Sequence, residues 1–303
     1  MIKVLEIYNI EVMVTEQMTV KEEKKWLKKW TCRKRWKKTK LGGKEMTVKI
    51  ANGNYEIPAI ITLPEGAGLF PAVVMLHGTG SDKNEVGGGY AMLASAFAKA
   101  GIASIRIDFI GSGDSTGDYK NYNFTTAVAD ANAACDYLAK MPEINRDKIG
   151  IMGWSQGGTI ALLAAGQNPA FQSALTWAGE PDLSDMLPKE AYETAQKDGF
   201  YTMEFEWRTA LNVGLQWFKE VEKTDVLKVF ANSKAPVLAI NGTDDTAVAP
   251  EKAGQIKAAS THPQSKALLL EKADHTFHIL ADDKSTIEGL IKTTVDWFGE
   301  TLK

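Results

Sequence analysis

Ile149-Gly150-Ile151-Met152-Gly153-Trp154-Ser155-Gln156-Gly157-Gly158 is the stretch on which the reading of this chain turns. Its first half, Ile149–Gly153, is an apolar run of strand length. Its second half opens an Ala/Leu-rich segment of helical length that reaches about Gln167. Between the two lies the pattern G-x-S-x-G, with a glycine on either side of the Trp154-Ser155-Gln156 turn. A strand that turns at once into a helix has room only for small residues beside the turn. The residue at the apex is then held at the strand's carboxyl edge, where the amide end of the next helix faces developing negative charge. The five-residue pattern recurs by chance, and the strand before it with the helix after it supplies the context that gives it meaning. Ser155 is therefore a candidate nucleophile, with a purely structural glycine-rich turn as the alternative.

The same strand-then-helix rhythm extends in both directions from the elbow. Toward the N-terminus, Phe70–Leu76 is a wholly apolar run stopped by His77-Gly78, as a buried parallel strand would be. Helical spacing follows in Tyr90–Lys99, then a strand at Ile102–Phe109 and the loop Gly111-Ser112-Gly113-Asp114-Ser115-Thr116-Gly117. Phe124, Val128, Ala131, Cys135 and Leu138 recur at steps of four and three, one face of a helix. Cys135 lies on that stripe and is expected to be a buried, inert thiol. Before these elements, Met46–Ala51 and Glu56–Leu63 alternate around Asn52-Gly53 and read as a hairpin.

Toward the C-terminus, Ser173–Trp177, Val237–Asn241 and Ala267–Leu270 supply three further strands. A last helix shows its stripe at Ile287, Leu290, Ile291, Thr294, Val295, Phe298 and Leu302. This alternation predicts an α/β fold with a mostly parallel central sheet and helices on both faces. Residues 180–235 break the rhythm: they offer no good strand and have aromatic-rich helical segments, above all Met203–Lys223. They are expected to form a helical cap inserted between two strands.

A serine hydroxyl is a poor nucleophile without a base, and the chain has four histidines. His77 belongs to His77-Gly78-Thr79-Gly80, where an oxyanion loop is expected. There the Thr79 amide would join that of Gln156, and His77 would hold the loop by hydrogen bonding. His262, before Pro263, reads as surface. His275 follows the final strand in a loop that returns to the sheet's carboxyl edge, and is the expected base, with His278 as the alternative. The carboxylate that fixes the imidazole comes from Asn241-Gly242-Thr243-Asp244-Asp245-Thr246-Ala247-Val248. The spacing G-x-x-D-x-x-V selects Asp245 over Asp244, and the order Ser155, Asp245, His275 fits the fold class.

On His77-Gly78, Asp108–Ser115, Gly153–Gly158, Gly242–Val248 and Ala273-Asp274-His275, the chain resembles the α/β-hydrolase superfamily. It is most like the bacterial cinnamoyl/feruloyl esterases, with dienelactone-hydrolase and prolyl-oligopeptidase-type domains as near relatives. Ser155 departs from the cysteine nucleophile of dienelactone hydrolases proper. The resemblance spans about residues 44–303 and implies a carboxylesterase working through an acyl-enzyme, with small esters such as hydroxycinnamoyl (feruloyl) esters as substrates. It implies the catalytic set Ser155, Asp245 and His275 and an oxyanion hole at Thr79 and Gln156, with no metal or organic cofactor. The expected partner is a small-molecule ester, a homodimer is compatible with the chain, and no nucleic acid is expected. Peptide or amide cleavage by the same triad is a second reading, although oligopeptidases of this shape usually carry a further large domain. A non-catalytic binding protein on a hydrolase fold is a third. Aromatic residues concentrate at 200–218, and Trp207 and Trp217 are expected to line the acyl pocket.

Of the 303 residues, 1–43 lie outside the resemblance and form a basic, tryptophan-containing extension. From Lys21 to Lys44 the local charge is +10, against −3 for the whole chain. Trp26, Trp30 and Trp36 among those lysines and arginines fit a basic arm for anionic lipid or nucleic acid. They equally fit a solvated helix or an extension packing its tryptophans on the body, and a translation start at Met18 is a further reading. Cys32 and Cys135 match no zinc pattern and have no evident pairing. No run approaches the length of a membrane-spanning helix, residues 2–14 do not read as a secretory signal, and a cytoplasmic protein is expected.

Overall fold

The computed structural model describes residues 3–7, 10–14, 37–38, 43–184 and 188–303. Two compact units divide the chain, Met1–Trp36 and Lys37–Lys303. In the smaller unit, β1 (Lys3–Ile7) and β2 (Ile10–Val14) pair antiparallel, with Lys3 opposite Val14. Trp26, Trp30, Cys32, Trp36 and Met18 lie outside the described residues, so the basic-arm reading falls there too.

The larger unit runs from Lys37, where β3 (Lys37–Lys38) adds to the edge of β4 (Lys44–Asn52). β4 pairs antiparallel with β5 (Tyr55–Leu63) in the hairpin expected around Asn52-Gly53. Next come β6 (Phe70–Leu76), β7 (Ala103–Ile107), β8 (Ile144–Trp154) and β9 (Phe171–Trp177). Two short strands, β10 (Phe200–Met203) and β11 (Leu211–Gly214), form a separate hairpin. Finally β12 (Val237–Gly242) and β13 (Lys266–Leu270) return to the main sheet. That sheet has nine strands in the order β13-β12-β9-β8-β6-β7-β5-β4-β3. From β13 to β7 every neighbouring pair is parallel; from β7 onward the pairs are antiparallel.

Helices connect the parallel strands, as the alternation requires. They are α1 (Gly89–Lys99), α2 (Phe124–Ala139) and α3 (Gln156–Gln167), followed after the ninth strand by α4 (Lys189–Asp198), α5 (Leu215–Lys223) and α6 (Val226–Phe230). The last two are α7 (Lys252–Ala259) and α8 (Ser285–Thr301). Side chains alternate across a strand, so the inner parallel strands must bury both faces, while the edge strand β13 stays largely exposed. Val73, Met75, Met152, Trp154, Leu175, Trp177, Leu238 and Ile240 join residues of α1 and α8 in one apolar cluster. The intervening residues Val74, Leu76, Ile151 and Ala174 are equally buried. The expected parallel sheet with both faces covered is the observed one. Cys135 sits within α2 at 1% exposure, and burial pushes its thiol up to about 12.

The insertion between β9 and β12 differs from its reading as wholly helical. It holds the β10–β11 hairpin, and the helix expected over Met203–Lys223 starts only at Leu215. Periodicity missed the hairpin because its strands are four residues long, too short for alternation to separate strand from helix. The insertion has a small aromatic centre in which Phe218 stacks on Tyr192 and meets Trp217 and Tyr201 edge to face. It is seated on the segment that leads into α2. A Cβ at Gly214 would lie 2.0 Å from the Lys120 carbonyl oxygen, and Glu220 accepts from the Thr125 N–H at 3.0 Å. Among the described residues no helix is long and apolar enough to cross a membrane.

Candidate active site

The carboxyl ends of β6, β8, β12 and β13 lie on one edge of the sheet, and each is followed by a loop carrying a residue of interest. Ser155 occupies the turn between β8 and α3 with φ 54° and ψ −125°, a conformation that costs free energy for a residue with a side chain. Its N–H donates to the Trp177 carbonyl at 2.8 Å, which fixes the turn to the neighbouring strand. The flanking glycines are required by close approach. A Cβ at Gly153 would stand 1.9 Å from the Gly157 oxygen, and one at Gly157 would stand 2.1 Å from the Leu76 oxygen. Beneath the elbow, Trp154 packs edge to face on Trp177, and both meet Phe277 and Tyr90.

His275 and Asp245, 30 residues apart in sequence, come together with Nδ1 2.8 Å from Oδ2. The other carboxylate oxygen accepts the N–H groups of Ala247 and Val248, each at 2.8 Å. All of Asp245 that could turn is thereby held, and its side chain is fully buried while that of His275 keeps 27% exposure. The two loops are also tied by backbone: Thr243 N–H donates to Leu270, and Asp244 N–H to Ala273. Asp244 itself bonds to the neighbouring Thr243 hydroxyl rather than to a histidine. His278 makes a different contact, with Nδ1 3.3 Å from the Thr286 hydroxyl. His262 caps a local turn by accepting the Gln264 N–H at 3.2 Å.

The loop after β6 closes the opposite side of Ser155. A Cβ at Gly78 would lie 3.2 Å from Ser155 Cβ, so the loop backbone runs directly against the serine. His77 is buried, its Nε2 accepts the Phe109 N–H at 3.2 Å, and its Nδ1 lies 2.8 Å from the Gly78 oxygen. An Nε2 that accepts leaves the proton on Nδ1, so Nδ1–H donates to Gly78. The Thr79 hydroxyl donates to the Gln156 side-chain oxygen at 3.0 Å, which brings the two candidate oxyanion residues together. Gln156 is the first residue of α3 and its N–H has no partner within the helix.

Three supports of this loop carry no signal in residue spacing. Glu85 accepts the Gly78 N–H at 2.5 Å. Lys83 bonds Asp108 at 2.6 Å and Asp114 at 2.8 Å, while Asp108 also accepts the backbone N–H groups of Lys83 and Asp114. Asp108 thus ties the loop after β6 to the Gly111–Gly117 loop, and Gly113 has no room for a side chain because a Cβ would lie 2.3 Å from Asp108 Oδ1. The hairpin of the cap rests on the same loop. Arg208 donates to the Gly80 carbonyl oxygen, and a Cβ at Gly80 would be 3.1 Å from the Trp207 ring. Trp207 is 66% exposed and meets Phe205 edge to face; Trp217 is 5% exposed within the cap's aromatic centre.

Residues 90–303 match the model of the prolyl oligopeptidase family. That span contains Ser155, Asp245 and His275 and begins after the Thr79 loop. Over 152 residues the chain is 33% identical to 2,6-dihydropseudooxynicotine hydrolase of Paenarthrobacter nicotinovorans, covering 46% of this chain and 38% of that protein. The chain thus spans well under half the length of this relative. Among solved structures it is similar to the α/β hydrolase GrgF from Penicillium, with a TM-score of 0.71 at 17% identity, covering 85% of this chain and 99% of that one. It is also similar to Est1E from Butyrivibrio proteoclasticus bound to ferulic acid, with a TM-score of 0.68 at 17% identity, covering 84% and 98%. At these identities the likeness is one of fold, and the fold is that of the α/β hydrolases.

Proposed function

The chain belongs to the prolyl oligopeptidase family of α/β hydrolases, and from that premise we propose that it is a serine carboxylic-ester hydrolase working through an acyl-enzyme on small esters such as hydroxycinnamoyl esters. The observation that carries the reading is the pairing of the buried Asp245 carboxylate with His275 Nδ1 at 2.8 Å, on the sheet edge that also presents the Ser155 elbow. Asp245 accepts the Nδ1 proton, which leaves Nε2 unprotonated and available as a base. Ser155 Oγ attacks the ester carbonyl carbon as Nε2 takes its proton. The carbonyl oxygen gains the negative charge, and the amides of Thr79 and Gln156 receive it. Collapse of the tetrahedral species expels the alcohol, which takes its proton from His275. Water then repeats the sequence on the acyl-serine, with His275 as base, and releases the acid.

Peptide or amide cleavage is the second reading, favoured by the family match to oligopeptidases. Both use the same residues, and they differ in how readily the leaving group departs. Turnover of p-nitrophenyl acetate and methyl ferulate beside an aminoacyl p-nitroanilide separates them. Ester turnover well above anilide turnover is expected, and Ser155→Ala should reduce it by roughly a million-fold with folding intact. Retention of more than a few percent of activity in Ser155→Ala would remove Ser155 from the role, and turnover of the anilide alone would replace the esterase reading with the peptidase one.

A further inference from the structure

We infer that Glu85 is a positioning residue of the oxyanion site, its carboxylate holding the Gly78 amide so that the next peptide presents the Thr79 N–H beside Ser155. The inference rests on the acyl-transfer reading above and names a residue that lies outside the triad and the oxyanion pair.

The Thr79 N–H belongs to the Gly78–Thr79 peptide, and its direction is set by whatever holds that peptide and the one before it. The peptide's carbonyl is held by His77 Nδ1–H at 2.8 Å. The preceding N–H, that of Gly78, is held by Glu85 Oε1 at 2.5 Å. With its own carbonyl held and the N–H of the peptide before it held, the Gly78–Thr79 peptide is kept from turning its carbonyl oxygen toward the substrate. The space around Gly78 points the same way. A Cβ there would stand 3.2 Å from both Ser155 Cβ and the Trp154 carbonyl oxygen and 3.5 Å from Glu85 Oε1, so the serine and the carboxylate both adjoin this one glycine.

Glu85 is itself held for this task. Its second oxygen accepts the Ser81 hydroxyl at 2.7 Å and the Val86 N–H at 3.1 Å. No lysine or arginine pairs with it among the described residues; the nearby Lys83 is committed to Asp108 and Asp114. Burial raises the Glu85 carboxyl above its ordinary range, and the neighbouring His77 together with hydrogen bonds from Gly78, Ser81 and Val86 opposes that rise. The backbone supplies an independent sign. Glu85 has φ 61° and ψ 172°, a region that is essentially reserved for glycine. A glycine would fit this backbone without strain, and Gly87, Gly88 and Gly89 follow within four residues. A strained glutamate is explained by its carboxylate, which must reach back to the Gly78 amide.

The test compares Glu85→Ala and Glu85→Gln with the wild type and Ser155→Ala. It measures kcat and KM for p-nitrophenyl acetate, affinity for an alkyl boronic acid that forms a tetrahedral adduct on serine, and thermal stability. Loss of an aimed oxyanion donor costs about a hundredfold or more in kcat. Glu85→Ala should therefore lose about that factor in kcat and a like factor in boronate affinity, with KM within about threefold of wild type. Glu85→Gln keeps an acceptor for Gly78 but turns an NH2 toward the Val86 N–H, and should fall between the two. Equal kcat in wild type and both variants would overturn the inference while leaving the acyl-transfer reading in place. So would a stability loss with unchanged boronate affinity per folded molecule. If Glu85→Ala does not fold, Glu85→Gln decides by the same criteria. Absence of Ser155-dependent hydrolysis in the wild type would remove the acyl-transfer reading, and this inference with it.

Discussion

Trp154 Nε1 donates to the backbone carbonyl of His275 at 3.1 Å, joining the residue before the elbow serine to a loop 121 positions away. The bond spans the gap between β8 and the loop after β13, and the aromatic packing of Trp154 against Phe277 lies beside it. A tryptophan buried in the core therefore also helps set where the candidate base sits. Trp154→Phe keeps most of the packing and loses the donor. We expect kcat/KM for p-nitrophenyl acetate to fall about tenfold through misplacement of the imidazole, with a loss of about 1 kcal/mol in stability. An unchanged kcat/KM would show that the packing alone holds His275.

The pairing of Asp245, not Asp244, with His275 makes a sharper comparison. Asp245→Asn removes the acceptor that selects the Nδ1 tautomer, and kcat should fall about 10^3–10^4-fold. Asp244→Asn should stay within about twofold of wild type. Steady-state kinetics of the two variants side by side decides the assignment, and a large loss in Asp244→Asn alone would reverse it.

Asp130 on α2 gives a pH-dependent stability that is separate from the site. It is fully buried against Asn52 and Tyr55, one of its oxygens has no partner, and burial pushes its carboxyl up to about 6. An acid whose folded pKa lies above its unfolded one is easier to protonate in the folded protein. Stability should therefore rise as pH falls from about 7 toward 4, by on the order of 3 kcal/mol at most, before other groups reverse it. Asp130→Asn should flatten this slope in urea denaturation at pH 5 and pH 7. An identical slope in the variant would assign the pH dependence to another group.

Trp207 and Trp217 should separate when each is replaced by alanine. Trp217 is buried in the cap's aromatic centre, so Trp217→Ala should cost about 3–5 kcal/mol and lower Tm. Trp207 is mostly exposed and lies on Gly80 beside the candidate oxyanion loop, so Trp207→Ala should leave Tm near wild type. If its ring meets the acyl group, KM should rise severalfold more for methyl ferulate than for an acetyl ester. Equal KM changes on both substrates would leave Trp207 without a part in acyl selection.

Much of this was legible in the residue order because the signals were local. A parallel strand buried on both faces must be an uninterrupted apolar run, and a strand that turns into a helix at Ser155 must have glycines where Gly157 would meet the Leu76 oxygen. The mostly parallel sheet follows from the alternation of such runs with helices, whereas the order of its nine strands, and the edge strand β3, came only with the structure. The cap hairpin was not legible, since four-residue strands carry too few positions to show a period, and aromatic rings occur in helices and strands alike.

What the residues alone determined about this protein is the α/β architecture, the strand-to-helix turn at Ser155, and the two loops, after β12 and β13, that carry the candidate aspartates and histidines. Each of these depends on neighbours within a few positions. Only the tertiary structure decided that Asp245 Oδ2 meets His275 Nδ1, that Glu85 reaches back to Gly78, and that Arg208 of the cap rests on Gly80. The physical reason is the direction of a side chain in a loop. It is fixed by hydrogen bonds and packing from segments far along the chain, as Phe109 fixes His77 and Asp108 fixes Lys83, and those partners adjoin only once the sheet has brought their strands side by side.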